Sequence, residues 1–227
     1  MAYIEIKNVV KSYKRGEQEI TPLQSLSLSI ERGEFLVLMG PSGSGKTTLL
    51  NLIAGVDKVT NGQIVVDGQE LHLMSRTQLA NWRASNVGYI FQLYHLVPVL
   101  TAYENIELPL LLQSLSRIER HLRIMTALEA VGLVDRKDHY PRQLSGGQEQ
   151  RVAIARAIVA NPGIIVADEP TGDLDADAAY ATLQLLKRLN QEMGKTFIMV
   201  THDKTAASVG HRIVLLEKGV LVNSIDK

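Results

Sequence analysis

The chain contains no cysteine. Disulfides, thiolate chemistry and cysteine-ligated zinc are therefore excluded. Neither charge is in excess: 24 Lys and Arg balance 24 Asp and Glu, for a net charge of zero. A protein that depends on a basic field to hold nucleic acid is not built this way, so no nucleic-acid partner is expected. No apolar run reaches the length of about 18 residues that spans a bilayer, so work at a membrane would require docking onto another chain. The six histidines (His72, His95, His121, His139, His202 and His211) lie far apart, without the spacing of a local metal site. Internal repeats, low-complexity segments and flexible linkers are also missing.

What is present suits an ordinary globular protein. The 227 residues are enough for a sizeable core, and 45% are apolar against 21% charged. The N-terminal stretch alternates apolar and polar residues and reads as a strand, not a signal peptide. Tyr3, Ile4 and Ile6 begin it. Leu26, Leu28 and Ile30 then alternate with serines, a period of two. After the Arg32-Gly33 turn, Phe35–Met39 reads as a buried strand, 47–54 as a helix and 62–68 as a short strand.

From about Leu93 to Ala160 the chain is expected to be mostly helical. Ile118, Leu122, Met125, Leu128 and Val131 have helical spacing and predict the buried face of an amphipathic helix. The runs 164–167, 196–200 and 213–216, with a helical pattern over 176–193, predict buried parallel strands alternating with helix. The expected fold is α/β, one domain with a helical insertion.

Three motifs carry chemistry. Gly40-Pro41-Ser42-Gly43-Ser44-Gly45-Lys46-Thr47 satisfies G-x-x-x-x-G-K-[ST], with Thr48 following. Small residues let backbone N–H groups curl around phosphate, and the helix N-terminus adds partial positive charge. Lys46 should reach the β- and γ-phosphates, and the Thr47 hydroxyl should bind magnesium. The apolar strand at 164–167 ends in Asp168-Glu169: Asp168 suits Mg2+, directly or through water, and Glu169 suits a general base on the attacking water. The third motif is Leu144-Ser145-Gly146-Gly147-Gln148, before an alanine-rich helix. It is a second anion-binding helix start in one chain. One nucleotide in a monomer does not need two. A head-to-tail pair does, with each ATP between Lys46 of one copy and Ser145 of the other.

These motifs, in this order, resemble the ABC-transporter ATPase family over essentially the whole chain. The resemblance implies a P-loop NTPase core of RecA-like type, an N-terminal antiparallel β subdomain and an inserted helical subdomain. On this chain that is one ATPase domain, 1–227, with 1–92 and 161–227 as core and β subdomain and 93–160 as helical subdomain. It implies that Tyr13 stacks on adenine, and that Gln92 touches magnesium and the attacking water and senses the membrane partner. Asp175, in Gly172-Asp-Leu-Asp175, would cross the dimer interface, and His202 would contact the γ-phosphate. Asp173 receives no role.

The stretch after Gln92, through Pro98, Thr101, Glu104-Asn105 and Leu108-Pro109-Leu110, is similar to the lipoprotein-releasing and macrolide-exporter group. That resemblance implies ATP and Mg2+ as ligands, a homodimer and a separate membrane subunit docked near Gln92–Leu100. It further implies a peripheral place on the cytoplasmic face of the inner membrane. Soluble family members of translation or DNA repair look like tandem cassettes or carry coiled-coil insertions. Neither pattern occurs here.

Overall fold

The computed structural model describes residues 2–16 and 18–226. Ten strands are found among them: β1 (Ile4–Arg15), β2 (Gln18–Ile30), β3 (Phe35–Met39), β4 (Asn61–Val66), β5 (Gln69–Glu70), β6 (Val87–Ile90), β7 (Ile164–Asp168), β8 (Thr196–Val200), β9 (Arg212–Glu217) and β10 (Val220–Asp226). The α-helices are α1 (Lys46–Ile53), α2 (Arg76–Asn86), α3 (Ala102–Glu107), α4 (Arg117–Ala130), α5 (Gly146–Ile158), α6 (Ala176–Met193) and α7 (Lys204–Ala207). The strands form two sheets. One is antiparallel, in the order β2-β1-β4-β5; the other runs β10-β9-β3-β8-β7-β6. In the second, β9, β3, β8, β7 and β6 are parallel neighbours, and β10 closes the edge antiparallel.

The period of two along the central strands sorts their side chains between two cores. Phe35, Val37, Ile165, Ala167, Phe197 and Met199 face one side and pack with α3 to α6. Leu36, Leu38, Ile164, Val166, Ile198 and Val200 face the other, against α1, α2 and the antiparallel sheet. Covered on both faces, these strands are continuous apolar runs, as parallel sheets require.

Four helices begin with the same reciprocal cap. Ser75 with Gln78, Thr101 with Glu104, Ser116 with Glu119 and Ser145 with Gln148 start α2, α3, α4 and α5. In each, a hydroxyl accepts from the N3 backbone N–H while the N3 side chain accepts from the cap N–H, which fixes where the helix starts.

Two expectations are corrected. The segment expected to be helical from Leu93 is irregular until Thr101, because Pro98 interrupts it and the cap at Thr101 sets the first helix at Ala102. On α4 the buried stripe is Ile124, Ala127 and Leu128, continued by Val131, whereas Ile118 and Leu122 are 75% and 60% exposed. The apolar spacing drew its stripe too far toward the helix start. The helix α2 and the strand β10 had no counterpart in the sequence reading.

Strand β6 crosses α5 at close range. A Cβ at Gly88 would run into the backbone carbonyl of Ala157. Backbone cannot rotate away as a side chain can, so Gly88→Ala should cost about 3 kcal/mol. Thermal unfolding is expected to show a melting temperature lower by about 5–10 °C.

Candidate functional site

Three adjacent parallel strands, β3, β8 and β7, end at one edge of the central sheet, where open α/β sheets place ligands. Strand β3 runs into Gly40, β7 into Asp168-Glu169, and β8 into Thr201-His202. Ser42, Gly43, Gly45, Lys46, Thr47, Thr48, Glu169 and His202 line one cavity of about 670 Å³ there. Glycine is required at the turn into α1. Gly45 has φ +102°, and a Cβ there would strike the Pro22 carbonyl. Ser44 is buried, and its hydroxyl has no partner. Lys46 is also buried; its ammonium donates to the carbonyls of Gly40 (2.8 Å) and Pro41 (2.9 Å) and so braces the loop.

The acidic pair is divided by geometry. The Thr47 hydroxyl donates to Asp168 Oδ1 at 3.3 Å. Burial pushes the Asp168 carboxyl up from its ordinary value, and Glu169 adds to this, while Thr47 and Lys46 oppose it. Such a buried carboxylate is poised to gain from a cation. Glu169 sits at φ +47°, a left-handed conformation rare outside glycine, fixed by its N–H donating to the Val200 carbonyl at 2.9 Å. Its Oε1 lies 2.9 Å from His202 Nδ1.

His202 is raised above its ordinary 6.5, first by that hydrogen bond and then by the Glu169 charge. The pair therefore contributes fully below the free histidine value and is lost as pH rises through the raised one. NMR titration of His202 should show a midpoint above 6.5, falling back in Glu169→Gln. An unchanged midpoint would mean that the two do not interact in solution.

The other predicted residues lie elsewhere. Gln92 stands against Gly172, with its Nε2 3.1 Å from where a Cβ would sit. Ser145, Gly146, Gly147 and Asp175 line a second, separate cavity. The Ser145 hydroxyl accepts from the Gln148 N–H at 3.3 Å, and the Gln148 side chain accepts from the Ser145 N–H at 2.9 Å. Leu144 packs against the helical core. Tyr13 is 41% exposed, and its phenol donates to Asp57 Oδ2 at 2.7 Å. One chain thus carries a phosphate loop with its acidic pair, and a helix start that does not reach it.

The ABC transporter family model matches residues 23–172. The chain belongs to the ABC transporter family. A lipoprotein-releasing system ATP-binding protein, LolD of Idiomarina loihiensis, is 43% identical to it over 220 residues, 97% of this chain and 96% of that one. A macrolide export ATP-binding/permease protein, MacB 2 of Aeromonas hydrophila, is 44% identical over 216 residues, 95% of this chain but 33% of that longer protein. A solved dimeric structure of an ATP-binding cassette in a post-hydrolysis state, bound to ADP and Pi, superimposes with a TM-score of 0.90 at 44% identity, covering 98% of each chain. This ABC transporter cassette is an ATPase and the ATP-binding subunit of its transporter. Its mixed fold, with an antiparallel N-terminal sheet and a parallel P-loop sheet, is the one the motifs implied. No helix among its described residues is long and apolar enough to cross a membrane.

Three residues of the cassette escaped the sequence reading. Asp57 accepts from Tyr13 and pairs with Lys11 at 2.7 Å. Gln150 is fully buried in α5, and its Nε2 donates to the Pro170 carbonyl at 2.5 Å, beside Glu169. Arg156 donates to the carbonyls of Tyr94 and His95, each at 2.7 Å, and ties α5 to the segment after Gln92. Only Gln150 and Arg156 lay near a motif; nothing local marks Asp57.

Proposed function

We propose that two copies of this chain close head to tail around two ATP molecules and drive a separate membrane subunit that releases lipoproteins or exports peptide- or macrolide-type substrates. The observation that carries this reading is the separation of Lys46, Glu169 and His202 in one cavity from Ser145–Gly147 in another. Neither is a whole site, and an isologous pairing completes both.

In that arrangement the loop N–H groups and Lys46 hold the triphosphate. Glu169 takes the proton from the attacking water, with His202 steadying both the carboxylate and the γ-phosphate. Gln92 orients the same water, and Asp175 meets the partner copy across the interface. Tyr13 supplies a surface for adenine. Thr47 Oγ1 and the desolvated Asp168 would hold Mg2+. Among the described residues no group of three acidic or histidine ligands could do so alone. That fits an ion bound through few protein oxygens plus phosphates and water. Mg2+ supplies neutralisation of phosphate charge.

Exposure of Leu93 (64%), Val97 (36%) and Val99 (78%) beside Gln92 supports docking of the membrane subunit there rather than core packing. The likeness to the LolD ATP-binding protein supports a peripheral place on the cytoplasmic face of the inner membrane. The LolD and MacB 2 likenesses support the cargo classes. Copurification with the membrane protein of the neighbouring reading frame tests the reading, and Leu93→Asp with Val99→Asp should abolish it. Retention by that double variant would move the docking surface elsewhere. Lipoprotein build-up or macrolide sensitivity in a deletion strain then separates the cargoes.

A further inference from the structure

The Tyr13 ring is held at more than one point. Its phenol donates to Asp57 Oδ2 at 2.7 Å, and the Lys11 ammonium lies over its face. The other Asp57 oxygen, Oδ1, accepts from Lys11 Nζ at 2.7 Å and from the Lys58 N–H at 2.7 Å. Lys11 is nearly buried and also donates to the Lys58 carbonyl at 2.7 Å; its ammonium stands 4.6 Å from the Tyr13 ring centroid. Burial, then the Asp57 hydrogen bond and charge, push the phenol up to about 12, so it remains a donor at every working pH. Burial opposes ionisation of Asp57. The hydrogen bonds from Lys11, Tyr13 and Lys58 outweigh it and hold the carboxyl below its ordinary value.

We propose that Asp57 is a positioning residue for nucleobase binding. It fixes the Tyr13 ring, with Lys11 on one face, so that the other face is a preset stacking surface next to the phosphate loop. This rests on the adenine role given to Tyr13 above. A ring with its hydroxyl tied loses little freedom when a base arrives. A cation on one face draws on the ring electrons and suits it to an electron-rich purine on the other. Because the phenol is spent on Asp57, the surface stacks on a base without reading its edge.

The test is steady-state ATPase kinetics of the full chain with MgATP, with inorganic tripolyphosphate as a competitive inhibitor that carries no base. Asp57→Ala is expected to raise KM for ATP by about five- to tenfold, with a smaller change in kcat. Its inhibition constant for tripolyphosphate should stay within about twofold of wild type, since about 0.4 kcal/mol separates a factor of two. Tyr13→Phe removes the anchor from the other end and should raise KM in the same direction. Asp57→Ala added to Tyr13→Phe should then contribute little more.

If Tyr13→Ala leaves KM unchanged, the stacking role of Tyr13 falls. If Tyr13→Ala raises KM while Asp57→Ala and Tyr13→Phe do not, the stacking role stands and the positioning role of Asp57 is overturned. Equal weakening of ATP and tripolyphosphate by Asp57→Ala also overturns it, because Asp57 would then act through the phosphate loop.

Discussion

Glu169→Gln is expected to bind ATP but turn it over about 10²- to 10⁴-fold more slowly, the usual worth of a positioned general base. The substitution keeps the shape of the side chain and an oxygen for His202 to meet, 2.9 Å away in the wild type. The left-handed backbone that aims residue 169 is also kept, because it is held by the Val200 carbonyl rather than by the side chain. What is lost is the ability to accept a proton. The ATP-bound pair should therefore accumulate, visible as a dimer by sedimentation with ATP while phosphate release stays near background. Turnover close to wild type would take Glu169 out of the base role.

Mixing two inactive variants should restore activity. Lys46→Ala removes the ammonium that would meet the phosphates in the proposed site, and Ser145→Arg puts a large cation at the start of α5, in the second cavity. Each alone spoils both sites of its own homodimer. Random pairing of an equal mixture gives heterodimers in half of the dimers, each with one site built from intact Lys46 and intact Ser145. About a quarter of the wild-type sites should then work, given twofold pairing. Phosphate release against mixing ratio checks this, and a flat zero across all ratios would argue against shared sites.

Much of the candidate site was legible because its residues lie in short motifs at strand ends and helix starts. Gly40–Thr48, Asp168-Glu169 and 144–148 each state their chemistry within a few residues, and the sheet brings the first two together. The rest depends on contacts that spacing does not encode. Asp57 lies 44 residues from the Tyr13 it holds, and nothing beside it is unusual. The stretch from Leu93 to Leu100 fell inside the span expected to be mostly helical. Pro98 and the cap at Thr101 delay the first helix to Ala102. On α4, Ile118 and Leu122 extend the apolar spacing by a turn, but the neighbouring helices reach only as far as Ile124, Ala127 and Leu128. Periodicity states which residues share a face, not how much of that face has a neighbour.

The Gln150 hydrogen bond to Pro170 has a consequence for how the two nucleotides behave together. In the proposed pairing, α5 of one copy touches the ATP held by its partner, while Pro170 adjoins the base that serves its own ATP. A buried amide therefore joins a contact made at one site to the base that works at the other. The free energy of the first binding event is then not independent of the second. ATP dependence should be sigmoidal, and Gln150→Leu should lower the Hill coefficient, leaving only the coupling that closure of the pair itself supplies. The chain is then a unit whose two ends answer to different nucleotides, and each site of the dimer is felt at the other.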